Sequence, residues 1–336
     1  MLRKRGTKVD EQIPSRVVHA FGLREPVAHR RLGGTRNANF HVQDEGRSLF
    51  LRRRHRDYCD PEWIQFDRDA IRHLKSKGAP VLSPLEIREG GTWIPEGEEC
   101  WEAYPWIDGN PYPGTTAALD SVANRLAEFH LAGMDFYQSY RPGGFSRGET
   151  TPKRLLDIAD QLAPACGDIV GFYAKQIEKA SRILDEITYE SLPQILVHGD
   201  VQPANMLFSG STVLCFVDYD WLGRQPAIYD LAGALILFCG TRTKPIDGGD
   251  IWSLSMPFEF ELESVRRFLA VYSSGMVLEK ESVPLLLEQT RLTWTHIRLS
   301  GALKVPEKDR RQFLARDYQR PYAWIDKHCN ENLVLD

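Results

Sequence analysis

The chain contains the stretch Val197-His198-Gly199-Asp200-Val201-Gln202-Pro203-Ala204-Asn205-Met206-Leu207-Phe208. Four residues later it continues with Val213-Leu214-Cys215-Phe216-Val217-Asp218-Tyr219-Asp220. In each stretch an apolar run meets a polar cluster, which contains Asp200 and Asn205 in the first and Asp218 in the second. Such clusters are most often turns, because Asp and Asn side chains hydrogen-bond the nearby backbone. A turn does not explain why a second pair of carboxylates follows the next apolar run, so the two stretches together indicate a functional site.

Phosphoryl transfer uses the residue types that these stretches contain. One carboxylate orients and deprotonates the acceptor hydroxyl, while an Asn and an Asp hold Mg²⁺ on the nucleotide phosphates. In kinases these residues occur as His-x-Asp-x-x-x-x-Asn, followed by an Asp at the end of a later strand. His198, Asp200 and Asn205 match the first part of this pattern, and Asp218 matches the second.

The full string resembles the aminoglycoside phosphotransferase and choline kinase-like family, whose loop reads His-Gly-Asp-x-x-x-x-Asn. The resemblance covers roughly residues 30–240 and is sharpest at 197–232, where Asp230-Leu231-Ala232 follows the second stretch. It implies that ATP and Mg²⁺ are used to phosphorylate a hydroxyl of a small molecule. It further implies that His198 and Asp200 are catalytic, with Asp200 as the base, and that Asn205 and Asp218 are Mg²⁺ ligands. For Asp220 it leaves a structural role and metal binding equally open. Asp230 lies near the start of an apolar helix, where we expect it to brace the catalytic loop.

The resemblance also assigns residues to the nucleotide. Gly33 and Gly34, with Asn37, match a phosphate-binding loop, because glycine lets backbone N–H groups approach phosphate oxygens; an ordinary turn is the alternative. The family carries a Lys on the next strand and a Glu on the following helix. The matching positions are Arg52 and Asp67, which we expect to form a swapped ion pair that contacts the α- and β-phosphates.

The segment from Glu99 to Gly109 resembles the hinge of the family. Extended backbone there can hydrogen-bond an adenine edge, so Ala103 and Tyr104 are predicted to bind the base; an edge strand that leaves through a turn is the alternative. The predicted fold is α+β, a two-lobed protein kinase-like fold. Its small β-rich N-terminal lobe, residues 1–103, is expected to bind the nucleotide. The larger, mostly helical C-terminal lobe, residues 104–336, is expected to carry catalysis and the acceptor.

Several helices are predicted in the C-terminal lobe. His130 lies beside an apolar helical stripe and is predicted to be a packed, hydrogen-bonded core histidine. Residues 307–330 read as one helix, and another is predicted at 278–303. The latter places Arg291, Trp294, Thr295 and Arg298 on one face, which either lines the acceptor site or packs against other helices.

Composition narrows the class of protein. The 336 residues are 42% hydrophobic and 26% charged, which excludes a disordered chain. No apolar run reaches the ~18 residues of a membrane span, and no basic patch with aromatic residues suggests nucleic acid. The six cysteines show no paired spacing, and no apolar segment follows the basic N-terminus. These features favour reduced thiols in a cytoplasmic protein.

The charge is unevenly distributed along the chain. Residues 1–100 contain 19 Lys and Arg against 15 Asp and Glu, whereas the remainder contains 23 against 31. A basic first part suits polyphosphate, and an acidic second part suits a cationic acceptor, because summed charge steers ligands. A solvated acidic surface is the alternative for the second part.

Two other functions are compatible with the same motifs. A protein Ser/Thr kinase would share the architecture, but the chain has no activation segment that ends in Ala-Pro-Glu. A non-catalytic nucleotide-binding protein is suggested by the altered pair Arg52 and Asp67. Retention of Asp200 together with Asn205 and Asp218 argues against it, because a protein that only binds nucleotide has no use for the base.

Overall fold

The computed structural model describes residues 12–25, 27–32, 36–138, 150–247 and 249–330. The strands in these ranges are β1 (Ala28–Arg31), β2 (Ala38–Gln43), β3 (Ser48–Arg54), β4 (Trp93–Glu96), β5 (Glu99–Pro105), β6 (Gln194–Val197), β7 (Met206–Ser209), β8 (Thr212–Phe216), β9 (Gly223–Pro226), β10 (Gly240–Arg242) and β11 (Phe258–Phe260). The helices are α1 (Ser15–Ala20), α2 (Pro61–Ser76), α3 (Thr116–Gly133), α4 (Pro152–Cys166), α5 (Asp168–Ser181), α6 (Glu186–Ser191), α7 (Ile228–Phe238), α8 (Leu262–Gly275), α9 (Ser282–Leu303), α10 (Glu307–Ala315) and α11 (Arg320–Asn330).

The described residues divide into two compact units. The first lies within Met1–Ile64 and Leu82–Asp108, and the second within Gln65–Val81 and Gly109–Asp336. The first contains the five-stranded sheet and the second is mostly helical, which confirms the predicted α+β class. The assignment of nucleotide-binding and catalytic roles to residues 1–103 and 104–336 stays a prediction.

The sheet of the first unit is antiparallel, with the strand order β1-β2-β3-β5-β4. Successive side chains of a strand point to opposite faces of a sheet. On one face Leu49, Leu51 and Trp101 belong to the apolar core of this unit. On the other face Arg52 of β3 lies opposite Glu102 of β5, and both side chains are buried. The sheet therefore has one apolar face and one face that buries charge.

The second unit is built around α7. This helix is apolar on nearly all sides, which is typical of a helix inside a core, and Leu231, Leu235 and Ile236 are fully buried. It packs against α9, while α3 packs against α8. Three antiparallel strand pairs of the described residues also lie in this unit: β6 with β9, β10 with β11, and the β7–β8 hairpin, which turns at Gly210. The predicted catalytic loop is the connection between β6 and β7.

The C-terminal helices differ from the prediction for residues 307–330. That stretch forms α10 and α11 instead of one helix. Arg298 of α9 donates hydrogen bonds to the backbone oxygens of Phe313, Leu314 and Arg316. A cation at the end of a helix satisfies carbonyl groups that have no partner within the helix. The buried guanidinium therefore stabilises the point at which α10 ends.

The polar face of α9 is a packing surface. The face comprises Arg291, Trp294, Thr295 and Arg298, which are all 1% exposed or less. Arg291 donates to Glu288 and to Asp326, and the Thr295 hydroxyl bonds that of Tyr322. Because these polar groups are committed to neighbouring helices, the alternative in which the face packs is confirmed and the acceptor-lining prediction is wrong.

No helix among the described residues combines the length and the apolar character of a bilayer-crossing segment. The six cysteines all lie in the described ranges, and each carries a free thiol.

We expect Arg291→Gln to lower the free energy of unfolding by about 3–5 kcal/mol, because it leaves the buried Glu288 carboxylate without its guanidinium. The matched control is Arg266→Gln. Like Arg291, Arg266 pairs with a Glu three residues earlier in its helix, which is Glu263. That pair is exposed to solvent, so its loss should cost about 0.5 kcal/mol or less. Urea denaturation measures both; equal effects would contradict a structural role for Arg291.

Candidate active site

The loop between β6 and β7 orients the carboxylate of Asp200. The Asn205 amide Nδ2 donates to Asp200 Oδ2 at 2.7 Å and to the Asp200 backbone oxygen at 3.0 Å. Gln202 Nε2 donates to the same Oδ2 at 2.6 Å. A short 3-10 turn, Pro203–Asn205, brings Asn205 back over the loop. Both side-chain amides therefore fix the carboxylate through one of its two oxygens.

The electrostatic environment of Asp200 suits a base. Burial raises the pKa of the Asp200 carboxyl above its ordinary value, and the neighbouring Asp218 carboxylate raises this pKa as well. Hydrogen bonds from Gln202 and Asn205 act in the opposite direction because they stabilise the charged form. A carboxylate with a raised pKa is a stronger proton acceptor than an exposed one.

His198 connects Asp200 to the strand that precedes Asp218. Its Nδ1 accepts the Asp200 backbone N–H at 3.3 Å, so Nε2 carries the proton and donates to the Val217 backbone oxygen at 3.1 Å. The ring is fully buried. The sequence predicted a catalytic role for His198. The geometry instead supports a positioning role, because both ring nitrogens are used by the backbone.

A buried network holds the backbone of the loop. The carboxylate of Asp230, at the start of α7, accepts the N–H of His198 at 2.7 Å and the N–H of Gly199 at 2.8 Å. His130 Nε2 lies 3.1 Å from the same carboxylate, and His130 Nδ1 lies 2.8 Å from the Tyr272 hydroxyl. The predictions of a bracing Asp230 and a hydrogen-bonded core His130 are confirmed.

Two residues of the site have left-handed backbone. Gly199 has φ 82°, and a Cβ at this position would lie 2.1 Å from the backbone oxygen of Trp221. Asp218 has φ 69°, which is rare for a residue with a side chain. Strained backbone of this kind costs about 1–3 kcal/mol and tends to occur at functional sites. Asp220, two residues further on, is buried.

Asn205 and Asp218 supply oxygen donors in the same region. The Val217 N–H donates to the Asn205 backbone oxygen at 2.9 Å, which ties the loop to the residue before Asp218. Because Nδ2 of Asn205 is used by Asp200, its side chain has Oδ1 to offer a cation. In the described ranges no group of three or more His, Cys, Asp or Glu could hold a metal. An amide and a carboxylate oxygen nevertheless fit Mg²⁺, which uses few protein ligands and otherwise binds phosphates and water.

The predicted phosphate-binding residues are only partly brought together. Gly33 and Gly34 lie outside the described residues. Asn37 Oδ1 accepts the His55 N–H at 2.9 Å, so this side chain joins β2 to the end of β3. Arg52 is buried on β3. Asp67 is buried on α2, in the second unit, and its pairing with Arg52 stays a prediction.

The predicted adenine contacts at Ala103 and Tyr104 are not supported by the strand register. Tyr104 pairs with Phe50, and the Ala103 oxygen accepts the Leu85 N–H at 2.7 Å. The ladder extends to Trp106, whose N–H donates to Ser48. Backbone groups that already form sheet hydrogen bonds cannot also bind a base. The register therefore favours the backbone at Pro105 and Ile107 for such a contact, and adenine binding by Ala103 and Tyr104 stays a prediction.

Comparison with known proteins defines the class. Residues 28–261 match the phosphotransferase enzyme family, and the chain belongs to this family, as the catalytic loop predicted. The chain is 24% identical to a homoserine kinase of Rhodopseudomonas palustris (strain TIE-1), over 82% of this chain and 79% of that protein. It is 22% identical to a homoserine kinase of Parvibaculum lavamentivorans, over 84% and 85% of the two chains.

Solved structures share the fold. A microcompartment-associated aminopropanol kinase superposes with a TM-score of 0.67 at 17% identity, covering 96% of this chain and 98% of that chain. An aminoglycoside phosphotransferase from Alicyclobacillus acidocaldarius gives 0.66 at 15% identity, with 99% of both chains covered. The prediction of a protein kinase-like fold is confirmed, and the protein is an enzyme of the phosphotransferase class.

Sequence reasoning missed two contributors to this region. Gln202 lies inside the quoted stretch, and its amide could have been recognised as a donor near the base. Tyr272 gave no local signal, because its partner His130 lies 142 residues away in the sequence.

We expect Gly199→Ala to reduce turnover by about 100-fold or more, because the new Cβ would displace the loop from Trp221 and move the adjacent Asp200. The control is Gly210→Ala in the β7–β8 turn. Gly210 also has positive φ, at 57°, but a Cβ there meets no atom within 4 Å. Both variants share the backbone strain, so steady-state kinetics that show equal losses would exclude the close approach as the cause.

Proposed function

We propose that the enzyme transfers the γ-phosphate of ATP to a hydroxyl group of a small molecule, with Mg²⁺ as cofactor. The observation that carries the proposal is the orientation of Asp200 by Asn205 and Gln202. Its other carboxylate oxygen, Oδ1, would accept the proton of the acceptor hydroxyl as that oxygen attacks phosphorus. The proton thus passes to Asp200 and the phosphoryl group to the acceptor, and ADP leaves.

Asn205 and Asp218 would hold Mg²⁺, which supplies charge neutralisation at the nucleotide phosphates. The left-handed backbone of Asp218 and the Val217 hydrogen bond to Asn205 support this assignment, because they fix two oxygen donors relative to the base. His198 and Asp230 act as positioning residues for the loop and do not touch the reactants.

At the nucleotide, we propose that Arg52 contacts the phosphates and that backbone near Pro105 and Ile107 contacts adenine. The phosphate contact suits Arg52 because this residue lies on the face of the sheet that buries charge. The adenine contact is proposed here because the sheet ladder ends at Trp106. Beyond it, the Ile107 N–H forms no backbone hydrogen bond within the described residues.

The proposed acceptor is a small primary or secondary alcohol that also carries an amino group. Both homoserine and aminopropanol, named for the relatives, have this chemistry. The excess of Asp and Glu after residue 100 supports a cationic group on the acceptor. A kinase with a protein acceptor would share the loop, but the comparisons favour a small molecule.

A panel of acceptors tests the proposal. Homoserine, 1-amino-2-propanol, an aminoglycoside and dephosphorylated casein are each incubated with Mg²⁺ and ATP, and acceptor-dependent ADP release is measured. The proposal expects turnover with at least one amino alcohol and none with casein. Phosphorylation of casein alone would overturn the acceptor class, and nucleotide binding without turnover on any alcohol would overturn the reaction.

We expect Asp200→Asn to reduce turnover about 10²- to 10⁴-fold, which is the usual contribution of a positioned base. The affinity for Mg·ATP should change only a few-fold, because Asp200 is proposed to contact the acceptor and not the phosphates. Calorimetry and steady-state kinetics measure the two quantities. A variant that keeps more than about a tenth of the activity would remove Asp200 from the role.

We expect Asp218→Ala to weaken Mg·ATP binding by about tenfold or more as well as turnover, because it removes a metal carboxylate. Raising the Mg²⁺ concentration should partly restore activity in this variant and not in Asp200→Asn, which serves as its control. Unchanged Mg·ATP affinity in calorimetry would contradict the metal assignment.

A further inference from the structure

A buried carboxylate lies on the charge-burying face of the β-sheet in the first unit. Glu102 of β5 is directly opposite Arg52 of β3 and is 1% exposed. Its Oε1 lies 3.9 Å from Nη1 of Arg52, and its Oε2 lies 3.8 Å from Nη1 of Arg54. The Tyr104 hydroxyl donates to Oε1 at 3.2 Å. One carboxylate therefore lies between two buried guanidinium groups.

The spacing explains how this cluster tolerates burial. The Glu102 carboxylate lies near both guanidinium groups, so it offsets part of the repulsion between Arg52 and Arg54. Both ion pairs are longer than the 2.7–2.9 Å of a charge-assisted hydrogen bond. Glu102 therefore attracts both guanidinium groups electrostatically, at distances longer than those of a bidentate hydrogen-bonded pair. Because Arg is long and flexible, a fixed counter-charge on the adjacent strand restricts where its guanidinium lies.

A second Arg–Glu pair joins the same two strands and provides a contrast. Glu99 Oε2 lies 3.2 Å from Nε of Arg53, whose side chain points to the other face of β3. These side chains are 25% and 37% exposed, for Arg53 and Glu99 respectively. A partly exposed pair of this kind contributes less to structure than a buried one, because solvent screens it. The two glutamates therefore share a strand and a partner type but differ in burial.

We propose that Glu102 is a positioning residue for the nucleotide phosphates and acts by holding the guanidinium of Arg52 on the buried face of the sheet. This inference rests on the proposed phosphate contact of Arg52. In this proposal β5 supplies the counter-charge for Arg52, the proposed phosphate contact. Glu102 provides it from the position that pairs with Arg52 across the two strands.

The location of Glu102 has a further consequence. It precedes Pro105 by three residues on β5, and the adenine contact is proposed for the backbone that begins there. One strand then fixes both the base of the nucleotide and, through Arg52, its phosphates. A displacement of β5 would change both contacts together.

A double-mutant cycle tests the inference. The variants are Glu102→Gln, Arg52→Gln and the combination, with Glu99→Gln as the matched control. The affinities for ADP and for adenosine are measured by calorimetry or competition. Glu102→Gln should weaken ADP binding about tenfold and leave adenosine binding unchanged, because only the phosphate contact is lost. Glu99→Gln should match the wild type. In the Arg52→Gln background, Glu102→Gln should have no further effect on ADP.

The outcomes separate this inference from the function on which it rests. If Arg52→Gln leaves ADP affinity unchanged, the phosphate contact itself is wrong. If Arg52→Gln weakens ADP binding but Glu102→Gln does not, or if the two effects add, Glu102 does not act through Arg52 and the inference is overturned. Where Glu102→Gln fails to fold, Glu102→Gln with Arg54→Gln keeps the cluster charge at its original value. That variant should bind ADP more weakly than the wild type does, while its affinity for adenosine stays unchanged. Wild-type affinity for ADP in that variant would overturn the inference.

Discussion

The hydrogen bonds between Asp230 and the backbone of residues 198 and 199 are the interaction on which the active site depends. A buried carboxylate is costly unless its oxygens are satisfied, and here two backbone N–H groups and His130 satisfy it. Its place in the first turn of α7 adds the favourable end of the helix dipole. Because α7 is embedded in the apolar core, Asp230 has a fixed position, and its hydrogen bonds fix the loop as well. The half-buried Asp200, the proposed base, is therefore held in place by residues of the core.

The same principle recurs across the chain. One ring nitrogen of His198 bonds the backbone of Asp200 and the other bonds that of Val217, so that Asp200 and the segment before Asp218 share a rigid connection. Arg298 uses its buried guanidinium to end α10 at the correct residue. In each case a buried polar group has specific partners, and removing one partner would leave the other unsatisfied at a cost of about 1–3 kcal/mol or more. Such groups determine geometry more than they add stability.

The sequence predicted the parts of the site that are contiguous. Asp200 and Asn205 are recognisable because a short loop fixes their spacing, and the α+β class follows from the order of strand-like and helical segments. The position that we propose for the adenine contact could not be obtained in this way. The end of the β5 ladder at Trp106 depends on a partner, Ser48, that is 58 residues distant. The polar face of α9 was ambiguous for the same reason, because its partners come from other helices.

The backbone of Asp218 and Gly199 argues against a protein that only binds nucleotide. A left-handed Asp costs about 1–3 kcal/mol, a substantial part of the 5–15 kcal/mol that stabilises a typical domain. Gly199 permits an approach to Trp221 that no other residue allows, and this approach turns the chain directly before Asp200. Two amides then orient the Asp200 carboxylate, although a nucleotide site has no need of a base. Backbone strain and side-chain orientation are thus both concentrated at Asp218 and Asp200, the proposed metal ligand and the proposed base.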